Sequence, residues 1–297
     1  MDAISVVVRR GGIVESRHEV DAVAVQDGAV IAEAGDAGRV AFLRSAAKPF
    51  QALPLVRARG DLTTAEIAIA SASHLARPDQ LAAVRSLLAK AEATAEELEC
   101  GTVGPDSGSI RLEHNCSGKH AGMLALCRTR GWQSVGYRLA GHAVQQACAA
   151  EIAAAAEVPE DDLPTAVDGC GVVTFALPLE RMALLFARLE ERPGGADAAA
   201  AMRAHPELIR GAGAPDTVLM QELSGWTAKG GAEGLLCACG PGGLGLALKV
   251  VDGAGRAVGP ALAVLLRRLG LEVPELAVVV LENSRGERVG EVVSETC

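Results

Sequence analysis

Strand-like runs at both ends of the chain enclose a long helical middle, and this order restricts the fold more than any other feature of the 297-residue sequence. Residues 5–9, 21–25 and 29–34 are short apolar runs separated by Gly11-Gly12 and Asp27-Gly28, the pattern of antiparallel strands joined by tight turns. Residues 234–239, 244–251, 276–281 and 288–293 repeat it near the C-terminus, around one helix at about 260–269. Between them, residues 64–70, 78–92, 117–129, 143–156, 179–190 and 197–204 carry Ala- and Leu-rich helical periodicity. Two chain ends that share strands must meet in one sheet. The expected fold is therefore α+β, with an antiparallel sheet built from both termini and a helical subdomain beside it. Residues 1–60 together with 215–297 are expected to form the sheet subdomain and 61–214 the mainly helical one, with the active site between them.

Composition narrows the function. Nearly half the residues are apolar but only 2% are aromatic, so the core is built from Ala, Val and Leu. A net charge of −9 and a single tyrosine leave neither a phosphate-tracking groove nor a base-stacking platform, which excludes nucleic acid as a partner. No apolar stretch approaches the ~20 residues that span a bilayer. The apolar run at residues 4–8 is too short for a secretory signal, and Arg9 and Arg10 follow it instead of preceding it. A cytoplasmic protein is expected, its eight cysteines mostly reduced and buried. Cys237 and Cys239 lie in a strand-like run and read as core packing, and the large apolar fraction is compatible with a homodimer.

Candidate chemistry starts at Arg44-Ser45-Ala46-Ala47-Lys48-Pro49. A serine hydroxyl is a poor nucleophile until a base removes its proton, and a neutral lysine amine one helical turn away can be that base. The chain has only five lysines among 28 basic residues, and lysine, unlike arginine, loses its proton in a dry site. Ser45 and Lys48 are followed by Ser71-Ala72-Ser73-His74 and then by Lys229-Gly230-Gly231, just ahead of a strand-like run. That order matches the Ser-x-x-Lys, Ser-containing and Lys-Thr-Gly motifs of serine β-lactamases and penicillin-binding proteins. His74 reads either as a satisfied core histidine or as a substrate contact. A second cluster, His114-Asn115-Cys116-Ser117-Gly118-Lys119-His120 with Asp168-Gly169-Cys170, is dense in titratable groups. It admits three readings: zinc ligation, buried thiols, or a helix N-terminus that binds an anion.

These runs, with Met202-Arg203-Ala204-His205-Pro206, Lys229 to Gly234 and Asn283-Ser284-Arg285-Gly286, together resemble the rhizobial-type (class 3) L-asparaginase family. The likeness extends from about residue 40 to the C-terminus. It implies a serine β-lactamase/glutaminase-like fold and hydrolysis of L-asparagine to L-aspartate and ammonia. It also implies two serine–lysine pairs, Ser45 with Lys48 and Ser73 (or Ser71) with Lys229. A zinc site of Cys116, Lys119 and Cys170 follows from the same resemblance, with Asp168, Arg44 and His120 facing the substrate. Two segments depart from the family pattern: Leu75-Ala76-Arg77, where the family more often carries Gly-Glu, and the apolar loop Gly211-Ala212-Gly213-Ala214. Other outcomes compatible with the sequence are a glutaminase or another small-amide hydrolase, a β-lactamase-like acyl-serine enzyme, and an amino-acid-binding protein without turnover.

Overall fold

The two-residue turns at Gly11-Gly12 and Asp27-Gly28 fold the first three apolar runs back on one another, and the C-terminal runs complete the sheet they begin. The computed structural model describes residues 1–104 and 110–295. In chain order the elements begin with β1 (Ile4–Arg10), β2 (Ile13–Gln26), β3 (Ala29–Ala34) and β4 (Val40–Phe42). There follow α1 (Lys48–Ala58), α2 (Thr64–Ala70), α3 (Pro78–Lys90), α4 (Ser117–Arg130) and α5 (Ala143–Ala156). Next come β5 (Thr165–Val167), β6 (Val173–Pro178), α6 (Leu179–Ala187), α7 (Gly195–Ala204), α8 (Pro206–Ile209) and α9 (Pro215–Glu222). The chain ends with β7 (Thr227–Gly230), β8 (Leu235–Gly240), β9 (Leu244–Val250), α10 (Val258–Arg268), α11 (Pro274–Ala277), β10 (Val278–Glu282) and β11 (Arg288–Ser294).

Contacts divide the chain into two units, Met1–Ala46 with Leu177–Ala187 and Val218–Cys297, and Ala47–Ala176 with Arg188–Thr217. The first holds an antiparallel sheet in the order β10-β11-β1-β2-β9-β8-β7, with β3 also paired to β2. Both termini therefore contribute strands, and the fold is α+β. The long strand β2 pairs with β1 along its first half and with β3 along its second, while β9 takes the other edge. Residues Val20 to Val25 are all buried, although alternate side chains of a strand point to opposite faces, so the centre of the sheet is covered on both sides. Helices α6 and α10 provide that cover, contacting β2 and β9. The sequence reading places residues 179–190 with the helical middle, whereas α6 belongs to the sheet unit.

The second unit is mainly helical and is organised around α1, which contacts α4, α5 and α7. Residues Lys48 to Leu55 are all buried, so α1 is enclosed all round and carries a lysine into the interior. Helix α2 starts with a capping box: the Thr63 hydroxyl accepts from the Glu66 amide, and the Glu66 carboxylate accepts from the Thr63 amide. The strands β5 and β6 pair antiparallel within a stretch expected to be mainly helical. The seven described cysteines form no disulfide and are buried, and Cys237 and Cys239 sit on β8 as expected; Cys297 lies outside the described residues. Among the described residues, no helix is long and apolar enough to cross a membrane.

One close approach fixes α6 on the sheet. A Cβ on Gly245 of β9 would lie 2.0 Å from the Ala183 carbonyl oxygen of α6, which is backbone against backbone. Gly245→Ala is expected to lower stability by about 2 kcal/mol, the usual scale of overpacking. Gly255→Ala, with nothing within 4 Å of the added methyl, should stay within about 0.5 kcal/mol of the parent. Urea unfolding of the two variants checks this; matching midpoints would refute the close contact.

Candidate active site

Lys48 opens α1 and is fully buried. Its Nζ lies 2.5 Å from the Ala72 carbonyl oxygen, 3.0 Å from Ser73 Oγ and 3.4 Å from the Asn115 carbonyl oxygen. Burial pushes its pKa below the usual lysine value, and the Lys119 ammonium adds to that against the opposing charge of Cys116. An ammonium would spend three hydrogens on these three oxygens. A neutral amine has two hydrogens for the carbonyls and a lone pair left over, which turns the Ser73 hydroxyl into the donor.

Ser73 is held by its own amide, which donates to the Ile209 carbonyl oxygen at 2.7 Å. Ser71, the other candidate, donates its hydroxyl back to Ile67 O at the end of α2. His74 has both ring nitrogens engaged. Ala76 N–H donates to Nδ1 at 3.1 Å, and Nε2 is 2.8 Å from Ser117 Oγ. Because Ser117 donates its own hydroxyl to Leu112 O, it accepts from His74 Nε2–H. Burial, with the Lys48 charge second, lowers the His74 pKa to about 4. Of the two readings the sequence leaves open, the structure supports the satisfied core histidine.

The departing segment Leu75-Ala76-Arg77 is locked in place. Gln80 Oε1 accepts from the amides of Leu75 and Arg77, and Gln80 Nε2 donates to the carbonyls of Glu207 and Arg210. Ala76 is held at φ +57°, a left-handed conformation costly for any residue with a Cβ. Leu75 and Ala76 line a cavity of about 480 Å³ together with His74, Val103, Glu113, His114 and Asn115. Gln80, Ser117 and the Asn115 carbonyl are the parts that sequence reasoning missed. Glutamine and serine on helices look generic, and a carbonyl leaves no trace in a sequence.

At the start of α4, Gly118 lets the helix approach α2 closely: a Cβ there would lie 2.2 Å from Ile69 O. That approach carries Cys116, Lys119 and His120 into the interior, all buried. Lys119 Nζ donates to Cys170 Sγ at 3.1 Å, and Cys170 hydrogen-bonds Cys116. Cys116 is driven well below the usual thiol range by that hydrogen bond first and then, against burial, by the charges of Lys48 and Lys119. Cys170 is driven upward by the same hydrogen bond, so the pair shares one negative charge. Burial alone would discharge Lys119, but the cysteine pair and Asp168 outweigh it and hold the ammonium charged. Asp168 closes a tight turn, with its Oδ1 accepting from Gly169 N at 2.8 Å and its Oδ2 4.0 Å from Cys170 Sγ. Among the described residues, no three His, Cys, Asp or Glu side chains converge as a metal site. Two thiols and one amine do converge, and that donor set fits a soft divalent ion such as zinc once the amine is deprotonated.

The remaining candidates belong to the sheet unit. Arg44 begins a 3-10 turn, Arg44–Ala47, at φ +48°, a strained backbone position directly before Ser45. The turn is closed by Ala46 N–H donating to Leu43 O at 2.9 Å, and Ser45 is half-buried. Because this turn runs directly into α1, Ser45 and Lys48 are one turn apart along the chain. Lys229 lies on β7, a strand in its own right and not the approach to one, and donates to Gly230 O at 2.7 Å. Just beyond it, Gly231 sits against the Leu43 carbonyl, where a Cβ would come within 2.9 Å. Arg44 also lines a cavity of about 380 Å³ with Arg39, Glu233, Lys249 and Asp252. The sequence reading assigns Ser73 to Lys229; the hydroxyl of Ser73 lies against the Lys48 amine.

The L-asparaginase II family model matches residues 6–294, almost the whole chain. Comparison with curated proteins gives no match.

The neutral His74 has a measurable consequence. Between the ordinary imidazole value of 6.5 and about 4, the unfolded chain binds a proton that the native histidine refuses. Stability from this residue is therefore intact above pH 6.5 and is lost as pH falls, by about 2–3 kcal/mol at pH 4.5. His74→Gln keeps a donor for Ser117 without the titration. Its stability is expected to drop less than the parent's between pH 7 and 4.5, by about that amount. Urea unfolding at both pH values decides; parallel losses would mean that His74 titrates normally in the native state.

Proposed function

The chain belongs to the L-asparaginase II family and is an amidohydrolase, and from that premise we propose that it hydrolyses L-asparagine through Ser45, with Lys48 as the base. The observation that carries this reading is the fully buried Lys48 amine, depressed by desolvation, one turn after a serine that follows a strained residue. Lys48 Nζ takes the proton of Ser45 Oγ, and the oxygen attacks the side-chain amide carbon of asparagine. The resulting oxyanion is stabilised by backbone N–H groups near Ser45 and at Gly230, the Gly231 N–H being given to Leu235 O. Ser73, in contact with Lys48, passes a proton to the departing nitrogen, which leaves as ammonia. Water then attacks the acyl-serine ester and releases L-aspartate. Lys229 contributes positive charge, Asp168 receives the α-amino group, and Arg44 and His120 face the carboxylate.

Cys116, Lys119 and Cys170 are the residues that would hold zinc. When bound, the ion would supply a Lewis-acid charge beside the site. The shared negative charge of the two cysteines supports this assignment, and Lys119 must release its proton for the metal to bind.

Ser45→Ala is expected to reduce ammonia release from asparagine by about 100-fold or more. Mass spectrometry of the parent quenched during turnover should find an adduct on Ser45, with glutamine tested alongside. Ammonia release at the parental rate from Ser45→Ala would end the serine mechanism. Elemental analysis is expected to find about one zinc per chain, lost in Cys170→Ala, as expected where thiolates dominate affinity. A metal-free parent with full activity would remove zinc from the reading and leave the serine mechanism standing.

A further inference from the structure

His120 Nε2 is buried and, among the described residues, has no hydrogen-bond partner. The other ring nitrogen, Nδ1, lies 2.8 Å from the hydroxyl of Tyr137, the only tyrosine in the chain. That hydroxyl already accepts a hydrogen bond from Glu99 N–H at 2.8 Å. Tyr137 is fixed at further points. Gln145 Nε2 donates to its carbonyl oxygen at 2.8 Å, and the Glu99 carboxylate accepts from the neighbouring Gly136 amide at 2.7 Å. Its ring meets the imidazole edge-on, with centroids 5.5 Å apart and planes at 66°.

Counting hydrogens selects one tautomer. If Nδ1 carried the hydrogen and donated to the phenol, the phenol hydrogen would be left without an acceptor in a fully buried place, and Nε2 would be a bare acceptor. If the phenol donates to Nδ1, only Nε2–H is left over. A buried unpaired donor costs as much as a lost hydrogen bond, so the arrangement with fewer orphans prevails. We propose that Tyr137 is a positioning residue that locks His120 as the Nε2–H tautomer, so that this N–H donates to an oxygen of the bound substrate. The identity of that oxygen as one of asparagine rests on the proposed function, while the tautomer does not.

Two measurements test it. Long-range proton–nitrogen NMR of 15N-histidine-labelled protein distinguishes the two neutral tautomers, and the His120 signal is identified by its loss in His120→Gln. The parent is expected to show His120 as Nε2–H, and Tyr137→Phe a mixture of both forms. The second is kinetic. Tyr137→Phe should lower kcat/KM for asparagine about tenfold, the scale of one well-placed hydrogen bond. In His120→Gln the amide already presents its own donor, so adding Tyr137→Phe should cost nothing further. A parent spectrum showing Nδ1–H overturns the proposal, and so does an equal loss from Tyr137→Phe in both backgrounds. If the parent releases no ammonia from asparagine, the proposed activity fails, and the spectrum still decides the tautomer.

Discussion

Two lysines buried in one cluster are pushed to opposite sides of the usual lysine value, Lys48 downward by burial and Lys119 upward by the cysteine pair and Asp168. Cys116 and Cys170 share a negative charge that holds the Lys119 ammonium, while at Lys48, which Cys116 also touches, that charge only partly offsets the cost of burial. Desolvation therefore falls on Lys48, and the charged neighbour Lys119 pushes it further the same way. Remove the thiols and Lys119 would lose its reason to stay charged. Lys48 would lose at the same time the opposing pull of the cysteine charge and the push of the Lys119 ammonium. Lys48 and the candidate metal site are in this sense one electrostatic system.

The fold makes such a system possible by burying α1 on all sides. A helix wholly surrounded by others keeps water from the amine at its first turn, which an amphipathic surface helix could not do. Gly118 serves the same end from α4, since only the absence of a side chain allows that helix to bring its charged first turn against α2. The strained Arg44 backbone ahead of Ser45 fits a site where conformation is imposed by packing instead of by local preference.

Much of the fold was legible because its signals are local. The hairpin turns, the helices α2, α5 and α10 and the strand carrying Cys237 and Cys239 announce themselves through periodicity and turn residues. The pair β5 and β6 was not, because Val173–Pro178 is a mostly apolar run without clear alternation, and β7 is only four residues long. The grouping of α6 with the sheet was invisible for another reason. It depends on one glycine, Gly245, whose meaning appears only when the backbone of α6 lies across it. At the site, spacing pointed to Ser45, Lys48 and the cysteine cluster. It could not show that Ser73 faces Lys48, because that contact depends on the Ser73 amide being held by Ile209, far along the chain.

The altered segment after His74 changes how selectivity should be thought of at this site. His74 has no free nitrogen, since Ala76 occupies one and Ser117 the other, so it is not available as a base or as a substrate ligand. Ala76 itself is fixed by that bond and by the Gln80 contacts on either side of it. The segment is thus rigid, and its side chains act as a wall. Leu75, 62% exposed, lines the cavity beside Asn115, where the family pattern more often places Gly-Glu. An apolar side chain there removes space and offers no charge. For the proposed amide substrate its effect is therefore steric, acting on the size of substrate accepted, while the chemistry proposed at Lys48 and Ser73 is left as the buried cluster sets it.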